Sequence, residues 1–131
     1  HFSFRVSASR LESRDKHVVS ERFFIRLGDM KVPFTVRVIA KLVHKHKHGQ
    51  CFRTARGRGR LELKCESTPP EGADPIRFRF GLGTCEQPEC RCDVVEHDFS
   101  GNSVGGLPAD AKDWDFKTAV DPGTASCAIR L

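Results

Sequence analysis

The chain has 131 residues, enough for one domain (1–131) with a core of its own. At 38% hydrophobic and 30% charged residues its composition is that of a globular, soluble protein, and no apolar run approaches the ~20 residues of a membrane helix. The net charge of +5 is unevenly divided: residues 1–65 carry 16 Lys and Arg against 5 Asp and Glu, residues 66–131 carry 6 against 12. Either the two halves fold onto each other and cancel, or a basic face is held out toward an acidic partner.

Alternation of apolar and polar residues, the signature of half-buried strands, runs through the whole chain. The first strand is "HFSFRVSA", with Phe2, Phe4 and Val6 on one face. "ERFFIRL" follows with Phe23, Ile25 and Leu27, and Gly28-Asp29 suits a tight hairpin turn. "VPFTVRVIAKLV" places Phe34, Val36, Val38, Ala40 and Leu42 together, and "RLELKCE" does the same for Leu61, Leu63 and Cys65. In "PIRFRFGLG" one continuous strand puts Ile76, Phe78, Phe80 and Leu82 inward and Arg77 and Arg79 outward. A weaker strand covers Val94 to Phe99, and the tail gives Ala125, Cys127, Ile129 and Leu131. Between them lie turn-rich pieces such as "STPPEGADP" and "SGNSVGGLPADAKD". One short helical turn is expected near residues 108–116, opened by Pro108, with Trp114 and Phe116 anchoring it to the core. The sum is an all-β fold, an antiparallel β-sandwich of seven to eight strands.

The stretch "VHKHKHGQCFRTARGRGR" carries the densest chemistry. His44, His46 and His48 would line one side if the preceding strand continued, and imidazoles so spaced bind zinc or copper. Lys45, Lys47 and the arginines oppose a cation there, so the segment reads as an exposed hairpin end. Its Lys45, Lys47, Arg53, Arg56, Arg58 and Arg60 form a basic docking segment for an acidic protein surface or an extended peptide. Arginine interleaved with glycine also matches nucleic-acid-binding arms, although Phe52 is the only aromatic nearby and the chain has no Tyr. Gly57 and Gly59 equally suit a loop feeding the strand at Leu61.

Cys85, Cys90, Cys92 and His97 offer the Cys3His set of a structural zinc site, but C-x4-C-x-C is not the usual C-x2-C spacing. No cofactor is expected, with zinc as the alternative. His97-Asp98 lacks a nucleophile in a recognisable frame, and "GNSVGG" is not a phosphate loop, so no enzyme is expected. Residues 1–15 contain no apolar signal core. An intracellular, cytoplasmic protein is therefore expected; the start at His1 leaves open a plastid or mitochondrial protein that has lost a targeting peptide.

Taken in order, these elements resemble the MATH (TRAF-like) domain. "SERFFI", the long strand "VPFTVRVI", "GRLELKCE" and "IRFRFGL" sit where that family has its strands. The closing "HDFS…KDWDFKTAVDPGTASCAIRL", residues 97–131, is similar to the family's W-G-F segment and final strand. Phe34 stands where the family has a tryptophan in its central strand. The resemblance implies a non-catalytic protein-protein interaction module that lays an extended peptide along a sheet edge, an accessory or structural subunit of a larger assembly. The alternatives are a nucleic-acid-associated protein using the basic segment 44–60 and a zinc-stabilised domain.

Overall fold

The computed structural model describes residues 2–83, 88–90, 94–107, 113–123 and 126–130. They form an antiparallel, mostly β structure. The elements in chain order are β1 (Ser3–Ser7), α1 (Ala8–Leu11), β2 (His17–Val19), β3 (Phe23–Leu27), β4 (Met30–Ala40), β5 (Arg58–Cys65), β6 (Ile76–Phe78) and β7 (Gly81–Gly83). After them come β8 (Pro88–Cys90), β9 (Val95–His97), β10 (Val104–Gly106), β11 (Trp114–Asp115), a 3-10 turn (Lys117–Ala119) and β12 (Ser126–Arg130). One sheet has the order β1-β12-β7-β8 and a second β10-β5-β4-β2, with β3 also on β4 and β11 also on β5; β6 and β9 pair separately.

The β4–β5 pair is the centre of the second sheet. β4 is rich in β-branched and aromatic residues, which suit a pleated, buried surface. Its register sets Val36 opposite Leu63 and Val38 opposite Leu61. Both pairs face inward, and these four side chains are 0–1% exposed. Burying such side chains stabilises by about 1.5–3 kcal/mol each. Phe34 and Ala40 extend the same face, as the alternation predicts, but the strand stops at Ala40 and Leu42 is half exposed. Val6, Leu82 and Ile129 from the other sheet join Phe34, Leu61 and Leu63 in one core cluster. Phe2 stacks on Phe23 with ring centroids 3.9 Å apart, tying the start of β1 to β3.

The β3–β4 hairpin is the expected one: Leu27 faces Met30, and Gly28 takes φ 62° at the first of the two turn positions. That left-handed value is open to glycine at little cost. β2 and β3 lie along the same edge of β4, but not in one register. Val19 pairs Arg37 and Phe23 pairs Phe34, so residues 20–22 face only residues 35–36, a β-bulge. Ser20 fills the gap: its hydroxyl accepts from the Val36 N–H at 2.9 Å and donates to the Glu21 carbonyl at 2.8 Å.

Two expectations need correction. The continuous strand over "PIRFRFGLG" is two strands: β6 pairs β9, while β7 pairs β12 and β8. The inward run survives the break, since Phe78, Phe80 and Leu82 are all buried. The helical turn near 108–116 is not found among its described residues. Trp114–Asp115 is a strand paired with Gly59 and Arg58, and the helical turn follows at Lys117–Ala119. The backbone N–H groups that a turn would have used pair with the start of β5 instead; Trp114 and Phe116 are nonetheless buried, as anchors should be. Residues 108–112 lie outside the described residues. The short helix α1 had no expectation: Ser7 caps it by accepting from the Arg10 N–H at 3.4 Å, and Leu11 sinks into the core.

Candidate functional site

Residues 41–57 join β4 to β5, and they are pinned rather than extended outward. Lys41 N–H bonds Arg58 O at 2.9 Å, which closes the base. Val43 N–H reaches Gly49 O at 2.7 Å and Gly49 N–H reaches His46 O at 2.9 Å, which folds "HKHKH" into a compact turn. His48 takes a left-handed φ of 59° within it. A second turn follows, with Ala55 N–H on Cys51 O and Gly57 N–H on Phe52 O, both 2.9 Å. This turn docks on the segment after α1: Phe52 N–H donates to Asp15 O at 3.0 Å and Arg53 N–H to Ser13 O at 2.8 Å. Cys51, Phe52 and Ala55 are the plug, at 1%, 0% and 5% exposure. The exposed hairpin end is thus a loop with a buried side. His44 to His48 are exposed, as expected, whereas Gly49, Cys51, Phe52, Ala55 and Gly57 are buried.

The two glycines of "RGRGR" have packing roles. Gly57 has φ 75°, and a Cβ there would lie 2.7 Å from Lys117 Cβ. Gly59 stands in β5 opposite Ala40, where a Cβ would collide with the Ile39 carbonyl oxygen. Both are needed to bring β4, β5 and the 3-10 turn together.

The six basic residues divide. Arg58 and Arg60 lie on β5 and meet carboxylates, Asp115 at 3.8 Å and Glu62 at 3.1 Å. Lys41–Asp113 at 3.1 Å is a further pair that, like Arg58–Asp115, joins the basic and acidic halves. Lys45, Lys47, Arg53 and Arg56 meet no carboxylate among the described residues, and neither do Arg14 and Lys16 beside them, which the sequence did not single out. Arg5, Arg22, Arg26, Lys31 and Arg77 are also without an ion pair among the described residues; Arg26 and Lys31 stand opposite each other on the β3–β4 hairpin, and the others are spread from β1 to β6.

The loop is flanked by two grooves. One, of about 370 Å³, has Arg14, Lys16, His44, Lys45, His46 and His48 around it and Cys51 at its base, and among the described residues no carboxylate lines it. The other, of about 310 Å³, is walled by Arg53, Arg56, Lys117 and Glu12 over Leu11 and Phe52. The Glu12 carboxylate lies 3.5 Å from Lys117 Nζ. Burial alone pushes the Cys51 thiol up. The Thr54 hydroxyl, the Thr54 and Arg53 backbone N–H groups and the charge of Arg14 outweigh it and hold the thiol below its ordinary value. The one Thr54 hydroxyl proton has two acceptors, His48 O at 2.8 Å and the sulfur at 3.2 Å, and a thiolate competes for it better than a thiol.

The zinc set is only partly placed. Cys85 and Cys92 lie outside the described residues. Cys90 is in β8 opposite Gly81, and His97 is in β9 opposite Ile76. His97 Nε2 is 2.8 Å from the Asn102 carbonyl oxygen, and its ring sits edge-on to Phe99 at 4.5 Å and against Gly105. Those contacts give His97 a packing role. Among the described residues no three His, Cys, Asp or Glu side chains converge as a metal site. Asp98 caps the following turn by accepting from Ser100 N–H at 2.9 Å. Cys51 and Cys65 are free, buried thiols.

Comparison with protein-family models, curated proteins and solved structures returns no match. No helix among the described residues is long and apolar enough to cross a membrane.

Proposed function

We propose that the protein is a non-catalytic interaction module of MATH-like sandwich type, an accessory subunit that docks an acidic protein segment on the face formed by residues 12–16 and 44–56. The observation that carries this reading is the gathering of Arg14, Lys16 and Lys45 around one groove and of Arg53 and Arg56 around the other, with Lys47 exposed in the turn beside them and none of the six in an ion pair with a carboxylate among the described residues. Cations elsewhere that have neighbours of opposite sign gain little by adding a partner, whereas these six have their full charge to offer. A pinned loop supports docking too, because little conformational freedom is lost on binding.

Nucleic acid is the second reading, and two features weigh against it. Phe52, the one aromatic in the segment, is 0% exposed and presents no stacking surface. The glycines that would let a phosphate backbone approach are occupied in packing. The decisive experiment titrates the protein with a polyaspartate peptide and with a single-stranded RNA at several salt concentrations. The quadruple variant Lys45→Ser, Lys47→Ser, Arg53→Ser, Arg56→Ser should bind the peptide at least about tenfold more weakly than the parent. Unchanged affinity in that variant would remove the docking face; tight RNA binding with a steep salt slope would establish the second reading instead.

A further inference from the structure

The groove at the "HKHKH" turn has a property that its lysines and arginines do not explain. Three of the residues around it are histidines, the only side chains whose ordinary titration falls between pH 5 and 8. The charged and titratable groups around the groove with them are Arg14 and Lys16 from the segment after α1, Lys45 from the same turn and the Cys51 thiol at the base, and Lys47 is exposed between His46 and His48 in the chain. None is a carboxylate, so among the described residues an imidazolium finds no counter-charge in this groove. The rings of His44 and His46 are 5.5 Å apart, and two like charges at that separation disfavour each other. His44 Nδ1 also accepts the His46 backbone N–H at 3.2 Å, an acceptor role that only the neutral ring with its proton on Nε2 can fill.

We infer that this groove binds an acidic peptide segment with uptake of protons at His44, His46 and His48, so that docking tightens as pH falls through the histidine range. The inference rests on the docking reading above and adds its regulation. A carboxylate placed between the two imidazoles supplies the counter-charge that the free groove lacks. It raises the histidine pKa values in the complex above those of the free protein. The sign follows from that rise. The added affinity is fully present below the free-state values and is lost as pH climbs through the bound-state values. A rise of one unit at one histidine makes binding about tenfold tighter at the acid end. An isolated aspartate titrates at about pH 3.9, and the mutual repulsion of a polyaspartate run raises that value, so any residual protonation of the probe weakens binding at the lower pH and works against the expected direction.

The test is calorimetric titration of the whole chain with a polyaspartate peptide at about pH 5.5 and 7.5, with chelator present, in buffers of different ionisation enthalpy. The expected result is about tenfold tighter binding at the lower pH, with a net uptake of protons read from the buffer dependence. The variant His44→Gln, His46→Gln, His48→Asn should lose both while still binding at pH 7.5; asparagine tolerates the left-handed backbone at position 48. Cys51→Ser controls for the thiol and should keep the pH response. Peptide binding that is equal at both pH values, or a pH response that persists in the histidine variant, overturns the proton linkage and leaves the docking face standing. Absence of peptide binding at either pH removes the docking face and the linkage together. RNA binding tighter than the peptide at both pH values overturns the acidic-peptide assignment.

Discussion

The run "RTARGRGR" is uniform as a string and divided as a structure. Its first half, Arg53 and Arg56, stands on a loop turn and makes no ion pair among the described residues, the Glu12 carboxylate of their groove being paired with Lys117. Its second half, Arg58 and Arg60, stands on β5, where β11 and the alternation of the strand itself bring Asp115 and Glu62 alongside. The same residue type within one short run is therefore available for a partner in one half and engaged at home in the other. Composition alone does not make a binding surface; it takes a backbone that keeps compensating charge away.

The comparison breaks first at its base. Phe52→Ala deletes a ring with 0% exposure that holds the loop to the segment after α1. Chemical denaturation should show a loss of about 3–5 kcal/mol. A loss under about 1 kcal/mol would mean that the loop is not seated on the core. Gly59→Ala comes next, because the new methyl group would meet the Ile39 backbone in the central sheet; a cost of about 1–3 kcal/mol is expected from the overpacking. Gly57→Ala should cost about 1–2 kcal/mol, for it puts a side chain at φ 75° and against Lys117. If both glycine variants were neutral, the glycines would be free for a ligand, and the nucleic-acid reading would regain ground.

Smaller effects sharpen the contrast between the halves. Arg53→Ser with Arg56→Ser should leave stability within about 0.5 kcal/mol while weakening peptide docking. Arg58→Ser with Arg60→Ser should do the reverse, costing up to about 1 kcal/mol through two exposed pairs and changing docking little. Equal effects of the two double variants on docking would erase the distinction. The smallest signal is the Cys51 thiol, whose titration should fall below its ordinary value near 9.0. A difference in thiolate absorbance between the parent and Cys51→Ser, followed with pH, reads it directly. Because the folded value is lowered, the thiolate's contribution to stability is present above about pH 9 and fades as pH falls through the folded value.

Sequence alternation by itself determined the strands with one wet face and one dry face. Phe34, Val36, Val38, Leu61, Leu63 and Phe78 all lie where period two places them, and Gly28-Asp29 turns as its residue types require. The physical reason is that each of these choices is local: a side chain's direction follows from its neighbour's, and a turn's backbone from its own two residues. Only the tertiary structure decided the rest. The split of residues 75–83 between two pairings, the bulge at residues 20–22 and the strand at Trp114–Asp115 depend on which distant backbone offers hydrogen bonds. The candidate site is divided in the same way. Its cations and histidines were plain in the string, but Arg14 and Lys16 join them only because Phe52 and Arg53 bond to the backbone of residues 13–15. Arg60 meets Glu62 on its own strand, but Arg58 and Lys41 meet Asp115 and Asp113, carboxylates more than 50 residues away, and no local pattern encodes that distance.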